Sequence, residues 1–75
     1  MIETGLEYSI GNIVEWHYAR NLIQGSSDKQ QVLKLIQELG ELSDTICKGR
    51  KPIDDIGDMI VILINIAERN NLSIK

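Results

Sequence analysis

Two acid pairs stand on either side of one short break: Glu38 and Glu41 before Gly49-Arg50-Lys51-Pro52, Asp55 and Asp58 after it. In each pair the spacing is three residues, which puts both side chains on one side of a helix. Counting from Arg50, Glu41 lies nine positions before (50 − 41) and Asp58 eight after (58 − 50). At ~1.5 Å rise per residue, two antiparallel helices joined there hold these two acids nearly level, with Glu38 and Asp55 within about two turns of them. Converging carboxylates repel unless a cation sits among them, and an all-oxygen cluster suits a hard divalent ion rather than zinc. The chemistry expected of Glu38, Glu41, Asp55 and Asp58 is therefore that of a metal site; the same spacing also occurs on plain solvated helix faces.

Other reactive side chains admit two readings each. Lys34, one turn before Glu38, suits either a phosphate contact or an i, i+4 ion pair. Lys48, Arg50 and Lys51 suit phosphate contacts or the negative end of a helix dipole. Trp16, the one tryptophan, suits a stacking surface for a ring or a packing role. His17 falls at an apolar spacing, and no Ser or Cys partner for a triad is evident. Cys47 has no second cysteine and reads as packing. The glycines form neither G-x-G-x-x-G nor a P-loop, and no Glu-x-x-His of the di-iron bundles occurs.

Helices must position these groups. Ser9 can cap a first helix over about 9–23, carrying Ile10, Ile13, Val14, His17 and Leu22 at near-helical spacing, with Gly11 weakening its start and residues 1–8 as a loose lead-in. Ser27 and Gln30 make a capping-box signature for a second helix, 28–48. At ~100° per residue, Val32, Leu35, Ile36, Leu39, Leu42 and Ile46 share one face of it, with Glu38 at the edge and Glu41 further round. Gly49 supplies a left-handed cap, and Pro52 or Ile53 opens a third helix, 53–70, whose first turn carries Asp54 and Asp55. From Ile56 to Ala67 this helix is apolar around most of its circumference, so it must be buried on most sides. Two companion helices in a small chain cannot cover it, which predicts association with further subunits. Asp55, Asp58, Asn65 and Arg69 fill the narrow polar gap, and Asn65 is the polar group deep in the helix on the acid side.

The expected fold is all-α: one domain, 1–75, with an antiparallel helical hairpin plus an N-terminal helix, assembling into an oligomeric four-helix-type bundle. Seventy-five residues bury only about 60% of their unfolded surface. A net charge of −3 argues against a general nucleic-acid binder, which shows a basic face. The longest apolar run, Met59–Ile64, is far short of the ~20 residues of a membrane span. A single cysteine and the absence of a charged-then-apolar leader lead to the expectation of a reducing, cytoplasmic setting.

The runs KLIQELGELSDTICKG and DDIGDMIVILINIAERNNL, preceded by WHYARNLIQGSS, resemble the MazG-like family of all-α nucleoside triphosphate pyrophosphohydrolases, in particular its short phage-type members. The resemblance spans Trp16 to Leu72. That family's hallmark is E-x-x-E on one helix and E-x-x-D on the next; Glu38 and Glu41 match the first, Asp55 and Asp58 the second. Asp55 stands where Glu is usual, one methylene shorter, and Gln37 where many relatives have Glu. Relatives commonly continue into a further helical segment whose Lys and Asn help hold the phosphates. The resemblance implies Mg²⁺ (or Mn²⁺) on Glu38, Glu41, Asp55 and Asp58, with Glu38 or Glu41 as general base. It implies cleavage of a (d)NTP between the α- and β-phosphates, with Trp16 and Asn21 at the base or sugar, Lys34 at the phosphates and Asn65 at a phosphate or the sugar. It also implies a homodimer or homotetramer, which the all-round apolar third helix independently suggests. A non-catalytic oligomerising module keeping a structural or vestigial metal site is the alternative.

Overall fold

The computed structural model describes residues 2–72, with side chains from Ser9 onward. Three helices follow one another: α1 (Ile2–Ala19), α2 (Asp28–Cys47) and α3 (Ile53–Arg69). The central element is α3, which packs on both α2 and α1, while α1 and α2 do not pack on each other among the described residues. The molecule is a flattened slab of 36 × 34 × 19 Å.

All three helices stop by the same device. In α1 the residue after the C-cap, Asn21, has φ +54, and the Leu22 N–H reaches back to the His17 carbonyl at 2.8 Å. In α2 it is Gly49 at φ +70, with Arg50 N–H on the Thr45 carbonyl at 3.0 Å, and in α3 it is Asn71 at φ +56, with Leu72 N–H on the Ala67 carbonyl at 2.8 Å. A left-handed residue followed by a 6→1 bond is the Schellman stop, and Gly or Asn occupies the left-handed place because neither is much penalised there. At the front of α2, Ser27 Oγ accepts the Gln30 N–H at 3.2 Å, and the hydroxyls of both Ser26 and Ser27 donate to Gln30 Oε1 at 3.3 Å. The serine-glutamine signature therefore marks the start of α2, although the glutamine bonds hydroxyls rather than the cap's own backbone.

The first helix differs from the expected 9–23. It starts at Ile2, so residues 2–8 are helix rather than a lead-in, and Ser9 sits within it instead of capping it. An interior glycine costs about 1 kcal/mol relative to alanine, and Gly5 and Gly11 do not interrupt the apolar recurrence Ile2, Leu6, Ile10, Val14. The far end comes at Ala19, earlier than Ile23, because Asn21 turns the chain; Ile23 is then buried from the connecting loop.

The apolar face expected of α2 divides in two. Leu35 and Leu42, with Gln31, Glu38 and Thr45, are the less exposed positions, whereas Val32, Ile36, Leu39 and Ile46 are exposed. On α3 the exposed set is Ile53, Ile56, Ile60 and Leu63. The α3 set advances by three, four and three residues and the α2 set by four, three and then a full heptad, the spacing of a helix-packing seam. Among the described residues the buried apolar ones are Ile23, Ile62, Ile64 and Ala67.

A buried polar set joins α1 to α3. His17, 2% exposed, has Nε2 3.0 Å from the Val61 carbonyl, which can only accept, so that nitrogen carries the proton. Its Nδ1 then accepts from Asn65 Nδ2 at 3.2 Å, and the same amide donates to the Leu22 carbonyl at 3.0 Å. The Leu22 carbonyl fixes which end of the Asn65 amide faces it. Nearby, the Arg69 guanidinium donates to the carbonyls of Leu22 and Ser26 and pairs with Asp28 at 3.2 Å; Asn70 also donates to Asp28, at 3.1 Å. The end of α3 thus clasps the α1–α2 connection.

Candidate functional site

Because α1 and α2 each pack on α3 but not on each other, a cleft of about 610 Å³ opens between them with α3 as its floor. The α1 wall presents Asn12, Ile13 and Trp16; the α2 wall presents Lys34 and Glu38; Asp58, Val61 and Ile62 form the floor. One side is apolar and aromatic, the other charged. Helical spacing makes each wall: residues 12, 13 and 16 lie within one arc of α1, and 34 and 38 are successive turns of α2.

The cleft also has a direction. His17 bonds Val61, and the Leu22 carbonyl receives Asn65 and Arg69, so α1 advances along α3 in the same sense. Asn12 lies one turn, ~6 Å, before Trp16 along α1, and both line the cleft that has Asp58 and Val61 in its floor. On the opposite wall Lys34 and Glu38 run the other way because α2 is antiparallel to α3, and Glu38 shares the Asp58 end.

At that end Glu38 senses the other three acids. Glu38, half-buried on α2, has its carboxyl held above the ordinary range. Partial burial contributes most, followed by the charge of Glu41 and a hydrogen bond in which protonated Glu38 donates to Glu41, then by Asp58 and Asp55. Asp55 is half-buried, and Glu41 and Asp58 are exposed. The hairpin thus brings the charges of Glu41, Asp55 and Asp58 to bear on Glu38. It does not bunch them: among the described residues no three His, Cys, Asp or Glu side chains are grouped closely enough to hold one ion.

Trp16 is 43% exposed. The Arg20 guanidinium lies 4.3 Å from its ring centroid, and His17 meets it edge-on at 5.2 Å, so the indole is held in place while lining the cleft. Lys34 lines the cleft too, and no ion pair among the described residues joins it to Glu38. At the turn, Lys48 pairs with Asp44 at 2.9 Å, both side chains well exposed.

Two expected site residues lie elsewhere. Asn65 is 0% exposed, its amide nitrogen committed to Leu22 and His17, so it belongs to the interior and not to the open acid cluster. Periodicity placed it correctly beside Asp58 on the helix surface, but that arc of α3 is covered by α1. Asn21 is outside the cleft lining, and its visible role is conformational: it forms the left-handed stop of α1, and a side chain at Gly25 would collide with its carbonyl. Conversely, Asn12, Ile13, Val61 and Ile62 line the cleft without having been expected there. The signal for Asn12 was present, since it is four residues before Trp16.

No helix among the described residues is long and apolar enough to cross a membrane. No family model matches the chain, and no solved structure matches it. Over 69 residues the chain is 35% identical to an uncharacterized 18.2 kDa protein in the rep-hol intergenic region of Haemophilus phage HP1 (strain HP1c1). That similarity takes in 89% of this chain but 42% of the phage protein, so the chain spans less than half of that relative's length.

Proposed function

We propose that the cleft binds a nucleoside triphosphate and hydrolyses it between the α- and β-phosphates, releasing a nucleoside monophosphate and pyrophosphate, as the resemblance to MazG-like pyrophosphohydrolases implies. The observation that carries this reading is the two-sided cleft: Trp16 and apolar side chains stand opposite Lys34 and Glu38, with Asp58 on the floor. A nucleotide has the same division, a flat ring at one end and anionic phosphates at the other.

The donor set suits Mg²⁺ or Mn²⁺, being carboxylate oxygen throughout. Mg²⁺ keeps several of its waters and takes only one or two carboxylates directly, the remaining positions going to substrate phosphates. Four acids spread about Glu38, with no three on a single point, fit a hydrated ion that arrives with the nucleotide better than a closed protein cage. Glu38, Glu41 and Asp58 would hold it, with the shorter Asp55 reaching it through water. When bound, the ion neutralises phosphate charge and lowers the pKa of a coordinated water.

The chain's own groups supply the rest. Glu38 or Glu41 takes the proton as a water oxygen bonds to the α-phosphorus; the bond from that phosphorus to the bridging oxygen breaks, and the electron pair leaves with pyrophosphate. A carboxyl held above its ordinary range, as at Glu38, is a stronger base than a free one. Lys34 balances phosphate charge, and Trp16 stacks on the base.

Assembly forms part of the same proposal. The chain exposes 5675 Å², whereas a compact monomer of 8.5 kDa exposes roughly 4,700 Å². The excess is on the order of the ~800 Å² per partner that a standard interface buries. A second copy laid on the exposed α2 and α3 seams would complete a four-helix bundle. The same exposed seams favour the second reading, a non-catalytic oligomerising module.

A panel of NTPs and dNTPs assayed for pyrophosphate, with and without Mg²⁺, tests the enzyme reading; no release from any of them would sink it. Glu41→Gln separates the two readings. An enzyme loses activity by about 10²-fold or more, while a structural module changes only in stability or assembly.

A further inference from the structure

We propose that Asn12 binds the sugar hydroxyls of the nucleotide and so sets how the site treats the pentose. The inference rests on the nucleotide reading of the cleft and adds a residue and a ligand group to it. Three observations carry it. Asn12 shares the α1 wall with Trp16, one helical turn away, and lines the same cleft. The course of α1 along α3 puts that turn on the Asp58 side of Trp16, so Asn12 stands between the ring surface and the acid end. In a nucleotide the group between base and phosphates is the pentose. Finally, the side chain is exposed, with no hydrogen bond to another described residue, whereas Asn65 is buried, with its amide nitrogen committed to His17 and Leu22.

The chemistry fits that position. Among the lining side chains the carboxamide is the uncharged group that both donates and accepts. A pentose hydroxyl likewise does both, so one amide can satisfy it in either orientation. The rest of the α1 wall offers Ile13 and the indole, which leave a desolvated hydroxyl short of an acceptor.

The test compares wild type with Asn12→Ala in the full chain, using a ribonucleotide, its 2′-deoxy form and its 2′,3′-dideoxy form, each with Mg²⁺, and reads kcat/KM for pyrophosphate release. Asn12→Ala should lower kcat/KM about tenfold for substrates that keep the recognised hydroxyl, the value of one neutral hydrogen bond. It should leave the dideoxy substrate unchanged, so that the variant no longer distinguishes the two. An equal loss on all three, as from a disturbed helix, or no loss on any, overturns the sugar assignment while leaving the pyrophosphohydrolase reading intact. The base is the one on which wild type is most active in the NTP and dNTP panel; absence of release from every member of that panel overturns both.

Discussion

Glu38 is the residue on which the two acid pairs act together. Its folded-state carboxyl is raised above the unfolded value by partial burial and by Glu41, Asp58 and Asp55. Between the two pKa values the folded chain holds a proton that the unfolded chain has lost, so stability falls as pH rises through that window and the deficit persists above it. Glu38→Gln removes the deficit. Without divalent ions the variant should melt higher than wild type at pH 7.5, with the difference shrinking as pH falls below the unfolded carboxylate value of about 4.3. Added Mg²⁺ should raise the melting temperature of wild type at pH 7.5 by more than that of the variant. A variant no more stable than wild type at pH 7.5 would mean the acids do not strain the apo fold. Acid spacing was readable in the sequence because i, i+3 geometry is local. The burial of Asn65 was not readable there, because periodicity gives the arc a residue occupies, not which neighbouring helix covers that arc.

Elements are set here more by their ends than by their interiors. Ser27 and Gly49 announce themselves, and the sequence places both ends of α2 and the start of α3 within a residue of where they lie. The limits of α1 were hidden because Asn21 as a stop, and helix through two glycines, are weaker signals than Gly or Pro at a break. The Schellman stop of α2 offers a measurable case. At φ +70, Gly49 has open space for a Cβ, so the cost of a side chain there is conformational rather than steric. Gly49→Ala should cost about 1–2 kcal/mol, a fall in melting temperature of roughly 4–8 °C per kcal/mol for a domain of this size. Gly49→Asn should recover part of the loss, as Asn21 and Asn71 show that this fold places asparagine in the same conformation. Equal losses from both substitutions would point to contacts at the turn instead. The turn fixes how the Glu38-Glu41 and Asp55-Asp58 pairs are aligned, so Gly49→Ala also tests whether the acids depend on it.

At the scale of the molecule the governing fact is a shortage of interior. Among the described residues four apolar side chains are buried, while two seams, Val32-Ile36-Leu39-Ile46 on α2 and Ile53-Ile56-Ile60-Leu63 on α3, face outward on one hairpin. The sequence announces that α3 needs more cover than two helices provide, because a helix apolar nearly all round has no solvent face. It does not show which arc stays open, since that depends on where α1 lies, and α1 covers the Asn65 arc through His17. With α1 and α2 both packed on α3, Ile60 and Leu63 are left outside. The cleft opens between α1 and α2, so a copy laid on the seams would leave the acids and Trp16 accessible. A charge at the middle of the seam should then prevent the proposed association without filling the cleft. Ile60→Lys should shift sedimentation velocity from dimer or larger toward monomer and lower the melting temperature. Wild type alone should melt higher as its concentration rises, because association stabilises by mass action. A wild-type chain that sediments as a monomer at tens of micromolar, with a melting temperature independent of concentration, would show that this face is not closed by a second copy.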